Sequence, residues 1–180
     1  MTEPFLYSMA VHQKAAEIMP EADFVQRFPH PVFVLEPFDA LDDTGFEALT
    51  GVKMTEVDYQ VAEIKVRPGA HPYADRITIG RSSRNDVVIR YPPVSKLHGW
   101  IISQGDELRI TDAGSSNGTS VYGRRLEEGE DVLLRPHADL RFGDLGAAFF
   151  TASAFYEHLR TLTSRRIKYR PDHPLYDSRY

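Results

Sequence analysis

The chain has no cysteine among its 180 residues. Disulfide frameworks, iron–sulfur clusters, thiolate-held zinc and cysteine nucleophiles are all excluded by that one absence. No apolar stretch approaches the ~18 residues that a membrane-spanning helix requires. The first residues lack a basic segment followed by an apolar run, so no secretory signal is read and a cytoplasmic location is expected. No G-x-x-x-x-G-K-[ST] loop occurs, which leaves no P-loop nucleotide site. The seven histidines are scattered. No pair of them shows ligand spacing beside a carboxylate on one helix, so neither a metal nor another cofactor is expected. A formal net charge of −5 argues against general nucleic-acid binding.

Hydrophobic residues at 42% and aromatic residues at 11% suffice for a real core. The length accommodates one domain with extensions, or two small domains. Charge is distributed unevenly. Residues 1–60 carry 3 Lys/Arg against 11 Asp/Glu, residues 61–159 carry 12 against 13, and residues 160–180 carry 6 against 2. An acidic head, a neutral middle and a basic tail follow one another.

The local patterns divide the chain similarly. Residues 1–58 read as an irregular, partly helical extension. Ser8 is placed to cap a helix through Met19, and Pro20 ends that helix or starts a second one. Val32–Leu35 reads as a short strand, and Asp42-Asp43 as the cap of a helical turn ending near Gly51. Residues 59–152 change to short β-rich runs separated by turn signals at roughly 8–12-residue spacing, the pattern of an all-β sandwich. Trp100 is expected in its core. Phe155, Leu159 and Leu162 then recur at helical spacing, so residues 153–164 read as a C-terminal helix. Residues 165–180 are a basic tail. Its run Arg165–Arg170 lacks the apolar face that membrane binding needs.

Three loop signatures occupy the β-rich region in order. The first is Ile79-Gly80-Arg81-Ser82, followed by Asn85-Asp86, a turn. The second is Val94-Ser95-Lys96-Leu97-His98. The third runs from Asp112 through Ser115-Ser116-Asn117-Gly118-Thr119, with Gly123 beyond it. Their residue types suit a phosphorylated ligand. A phosphothreonine carries about −1.5 to −2 charges and three strong acceptor oxygens. Arg81 offers a guanidinium fork for bidentate contact. Ser95 adds a hydroxyl donor, and Lys96 a mobile point charge. Asn117 has an amide that donates and accepts at once, as holding a ligand main chain requires. Gly80, Gly118 and Gly123 mark backbone positions needing positive φ or close approach.

In this order and spacing the three loops resemble the forkhead-associated (FHA) family over about Gln60 to Thr151. The resemblance implies an FHA-type β-sandwich of about eleven strands. It also implies roles for residues: Arg81, Ser82, Ser95 and Lys96 at the phosphate, Asn117 on the peptide main chain, and Ser116 lining the pocket for the threonine methyl. Gly80, His98, Gly118 and Thr119 would support the site, His98 by bracing loops with hydrogen bonds. The expected function is phosphothreonine-dependent recognition of a partner protein, a Ser/Thr kinase or its substrate, without catalysis. The alternative is a phosphate-independent scaffold that binds partners through its sheet faces or extensions. Thr44, in an acidic stretch, is a candidate for modification and self-binding, as in some bacterial members.

An enzyme reading is also open to test. Gly114-Ser115-Ser116-Asn117-Gly118 matches G-x-S-x-G, and Asp131 or Asp139 with His158 supplies the chain order of a hydrolase triad. That elbow requires a strand entering a helix, whereas Thr119–Gly123 reads as another strand and turn.

Overall fold

The computed structural model describes residues 6–37, 59–69, 72, 73, 75–105 and 107–168, with side chains through residue 163. Thr44, the turn expected near Gly51 and the tail from 169 lie outside the described residues. Twelve strands are described: β1 (Tyr7–Ser8), β2 (Val32–Leu35), β3 (Gln60–Glu63), β4 (Ile77–Gly80), β5 (Val87–Val88), β6 (Gly99–Gln104), β7 (Glu107–Asp112), β8 (Thr119–Val121), β9 (Arg124–Arg125), β10 (Asp131–Leu134), β11 (Ala138–Phe142) and β12 (Leu145–Phe150). The helices are α1 (Met9–Ile18), α2 (Glu21–Arg27) and α3 (Ala152–Lys168). None of them is long and apolar enough to cross a membrane.

The strands form a sandwich of two sheets, ordered β1-β3-β2-β12-β11-β8-β9 and β10-β7-β6-β4-β5. The expected β-sandwich is therefore present, with helices before and after it. Alternation explains which faces pack. In β11, Ala138, Leu140 and Phe142 are buried while Asp139 and Arg141 are exposed, the period-two pattern of a strand with one wet face. β2 behaves differently, since all four of its residues are buried. Phe33 and Leu35 join the core between the sheets, together with Ala62, Ile79, Ile101, Leu140 and Phe149. Val32 and Val34 face the other way, into a second core with Val61, Phe150, Ala16, Phe24, Phe155 and Leu159. The three helices thus form a third layer on the outer face of the seven-stranded sheet.

β2 pairs with β3 on one side and β12 on the other. The head therefore supplies an internal strand of the sheet, and the sheet draws on residues from both sides of position 58. Local signals account for the helices. The Ser8 side chain accepts from the Ala10 N–H at 3.2 Å, an N-cap. Glu21 and Asp23 in the first turn of α2 and Arg27 in its last complement the helix dipole. Thr151 Oγ1 accepts from the Ala154 N–H at 3.3 Å at the start of α3. That helix extends past 164 into the basic run.

Trp100 departs from expectation. It lies on the outer face of β6, half-buried, because Gly99 and Ile101 take the inward positions. The Arg76 guanidinium sits 4.9 Å from its ring centroid, a cation–π contact that suits a ring with one face in water.

Candidate functional site

β4 ends at Gly80, and the chain turns through residues 81–86. The Arg81 N–H donates to the Ser95 carbonyl at 3.0 Å, and the Ser82 N–H to the Lys96 carbonyl at 3.3 Å. Two loops far apart in sequence are thereby laced edge to edge. Asn85, 4% exposed, closes the lacing by donating from Nδ2 to the carbonyls of Ser82 at 2.9 Å and Lys96 at 2.6 Å. Gly80 must be glycine for this approach: a Cβ there would overlap the Lys96 carbonyl oxygen and lie 2.8 Å from Asn85 Nδ2. Asp86, also buried, anchors the turn from below. Its Oδ2 accepts from Thr78 N–H at 2.8 Å and Thr78 Oγ1 at 3.0 Å, and its Oδ1 from Arg67 N–H at 2.6 Å.

The 113–118 loop joins from the other side. The Ser116 N–H donates to Ser95 Oγ at 3.0 Å, and the two hydroxyl oxygens are 3.5 Å apart. His98 is fully buried and bridges both loops. The Ser95 N–H donates to His98 Nδ1 at 3.1 Å. Nδ1 must therefore be unprotonated, and the ring proton sits on Nε2, 3.3 Å from the Gly118 carbonyl it donates to. Burial lowers the His98 pKa, outweighing the Asp112 carboxylate, which pulls it up. The ring is thus a neutral strut.

Asp112, at the end of β7, is the hub beneath the third loop. Its Oδ1 accepts from Ser115 N–H at 2.7 Å, and its Oδ2 from Ser115 Oγ at 2.8 Å and Thr119 Oγ1 at 2.6 Å. Burial alone would raise its pKa. The hydrogen bonds from Thr119 and Ser115, with His98 nearby, outweigh burial and hold it below the usual carboxylate value. Ser115 Oγ accepts in turn from the Gly118 N–H at 2.9 Å. At Gly118, φ is +79°, a left-handed backbone conformation that strains any residue with a Cβ.

The expected residues fall as follows. Arg81, Ser82, Ser95, Lys96, Ser116 and Asn117 belong to three loops that meet at one end of the sandwich. Arg81 is half-buried, its Nε is buried without a hydrogen-bond partner, and its guanidinium has no ion pair among the described residues. Lys96, Ser116 and Asn117 are exposed. Asn117 Nδ2 donates to the Pro93 carbonyl at 2.7 Å, which orients the amide and leaves Oδ1 open. Ser82 Oγ accepts from the Arg84 N–H at 3.3 Å, a turn contact. Gly80, His98, Gly118 and Thr119 are all buried and brace the loops. Asn85 and Asp112 were not expected as site residues. The signal for Asp112 was its spacing to hydroxyls at +3 and +7, and that for Asn85 its place in a tight turn. After Gly118 the chain enters β8 and not a helix, so the hydrolase elbow is not formed.

A family model for the FHA domain matches residues 77–143, which span all three loops. The chain carries an FHA domain. No curated protein matches it. Similar solved structures include Mycobacterium tuberculosis EmbR in complex with a low-affinity phosphopeptide, at 23% identity and TM-score 0.41, covering 67% of this chain and 24% of that one. This chain therefore spans about a quarter of the EmbR chain. The FHA domain of the Chlamydia trachomatis CT664 protein matches at 16% identity and TM-score 0.44, over 67% of this chain and 96% of that one. An engineered FHA domain with a Myc-pTBD peptide matches at 19% identity and TM-score 0.45, over 72% and 97%.

Proposed function

We propose that this FHA domain binds phosphothreonine-containing segments of partner proteins through the loops at 81–82, 95–96 and 116–117. FHA domains generally bind phosphothreonine peptides. The observation that carries the reading here is Arg81: a half-buried arginine with an orphaned Nε, tied by its own backbone to Ser95. Leaving a buried donor unpaired costs about 1–3 kcal/mol. A phosphate removes that cost and accepts the guanidinium fork. Ser95 Oγ already accepts from the Ser116 N–H, and its proton, donated only to Ser116 Oγ at a long 3.5 Å, can turn to a phosphate oxygen. Lys96 adds mobile charge. The open Oδ1 of Asn117 can accept from a peptide N–H, and Ser116 lies beside Ser95, where a threonine methyl would pack.

The loop backbones need little rearrangement because the buried network has already ordered them, which keeps the entropic cost of binding low; the Arg81 side chain has only to turn its buried Nε toward the ligand. The partner is a phosphorylated protein, a Ser/Thr kinase or a kinase substrate. Fluorescence polarisation with one threonine peptide in phosphorylated and unphosphorylated forms tests the reading. Binding confined to the phosphorylated form is expected, and equal affinities would overturn it in favour of phosphate-independent scaffolding.

A further inference from the structure

Beside the three-loop site lies an open groove of about 200 Å³, lined by Tyr73, Thr78, Ser82, Arg84, Asn85, Lys96 and Leu97. It opens directly off Ser82 and Lys96. Its polar floor is spent: Asn85 Nδ2 is bound to two carbonyls, and Thr78 Oγ1 to Asp86. Two kinds of surface remain. One is apolar, from Tyr73 and Leu97, which are 49% and 40% exposed. The other is cationic. Arg84 and Lys96 stand exposed at the rim, with no ion pair among the described residues. Arg67 adds charge from behind, donating from Nη1 to the carbonyls of Ser83 at 3.2 Å and Asn85 at 2.7 Å. The carboxylate of Asp75, next to this wall in sequence, is bound by Arg76 at 2.7 Å.

From this we infer that the groove receives a second anionic side chain of the same phosphorylated partner, carried close to the phosphothreonine. This inference rests on the proposed function. A carboxylate or a second phosphate meets Arg84 and Lys96 at the rim, and its aliphatic stem lies against Tyr73 and Leu97. The groove thus selects acidic or doubly phosphorylated segments over neutral ones, where the three-loop site alone reads only the phosphothreonine.

The full chain is titrated with a phosphothreonine peptide on a neutral background. It is then titrated with the same peptide bearing glutamate, or a second phosphothreonine, at each position from five before to five after. At one or two positions the anion is expected to tighten binding about two- to fivefold, the range for exposed ion pairs, with the phosphate arm the stronger. Arg84→Gln should bind the neutral peptide as the wild type does and lose most of the gain. The amide shift of Thr78 should respond only to peptides with the second anion. A wild type indifferent to acid at every position overturns the inference while leaving phosphothreonine recognition standing, and so does an Arg84→Gln variant that keeps the whole gain. Failure of every phosphothreonine peptide to bind overturns both.

Discussion

Replacing Asp112 by alanine should damage phosphopeptide binding although the residue faces the interior and touches no ligand. Three hydrogen bonds end on its carboxylate, from Ser115 N–H, Ser115 Oγ and Thr119 Oγ1. Hydrogen bonds to charged groups contribute roughly 1.5–3 kcal/mol each. Relief of the desolvated carboxylate offsets part of that. Removing the carboxylate leaves three donors without an acceptor, at about 1–3 kcal/mol each less the relieved desolvation, or about 3–5 kcal/mol net. At about 2–4 °C per kcal/mol for a chain of this size, the melting temperature should fall by about 6–20 °C. Binding should suffer separately. Ser115, Ser116 and Asn117 would lose their anchor and have to be ordered by the ligand, at about 1–2 kcal/mol per residue. Affinity should then drop about a hundredfold or more. Thr119→Val removes one hydroxyl and keeps the shape, so its loss should be near 1–2 kcal/mol, with little change in affinity. Urea unfolding and fluorescence polarisation, done on the same preparations below the melting range, separate the two effects. An Asp112→Ala protein that is less stable but binds with wild-type affinity would refute the claim that this hub preorganises the loop.

Arg81→Ala should weaken phosphopeptide binding by about 2–5 kcal/mol, at least thirtyfold, with no loss of thermal stability, since the guanidinium has no partner among the described residues; calorimetric titration and a melt check both halves. Gly80→Ala should push the Lys96 carbonyl and Asn85 away, costing about 1–3 kcal/mol by overpacking and loosening the site in a chemical-denaturation and binding pair. The histidines set a pH dependence. Burial lowers the pKa values of both His98 and His12 from 6.5, so the unfolded chain takes up protons that the folded one refuses. The stability they contribute is complete above about pH 6.5 and is lost as pH falls below it toward the folded values. Melting temperature should decline from pH 7 to pH 5, and His12→Phe, in its pocket of Tyr7, Phe28 and Phe155, should flatten part of that slope. Phe155→Ala should cost about 3–5 kcal/mol by opening a cavity in the second core, measured by urea unfolding.

Much of this molecule was legible before any coordinates. The strands, the Ser8 cap, the Pro20 break and the C-terminal helix follow from rules that act over a few residues. So does the content of the three loops, because phosphate chemistry demands an arginine, a hydroxyl and an amide whatever the fold around them. Two-residue strands such as β1 and β9 left no trace, being too short to show a period. Trp100 was misplaced because a single large aromatic does not declare which face of its strand is wet.

What the chain's order of residues could decide was local: where it extends, turns and coils, and which side chains have the chemistry to hold a phosphate. Tertiary structure alone decided the rest. Val32–Leu35 is apolar throughout, which is equally compatible with several burials, and only pairing between β3 and β12 under a layer of helices gives both its faces a core. The role of Asn85 likewise exists only once the 81–86 and 95–98 loops are in contact. A buried polar group has no defined partner until packing has excluded water and brought one within about 3 Å.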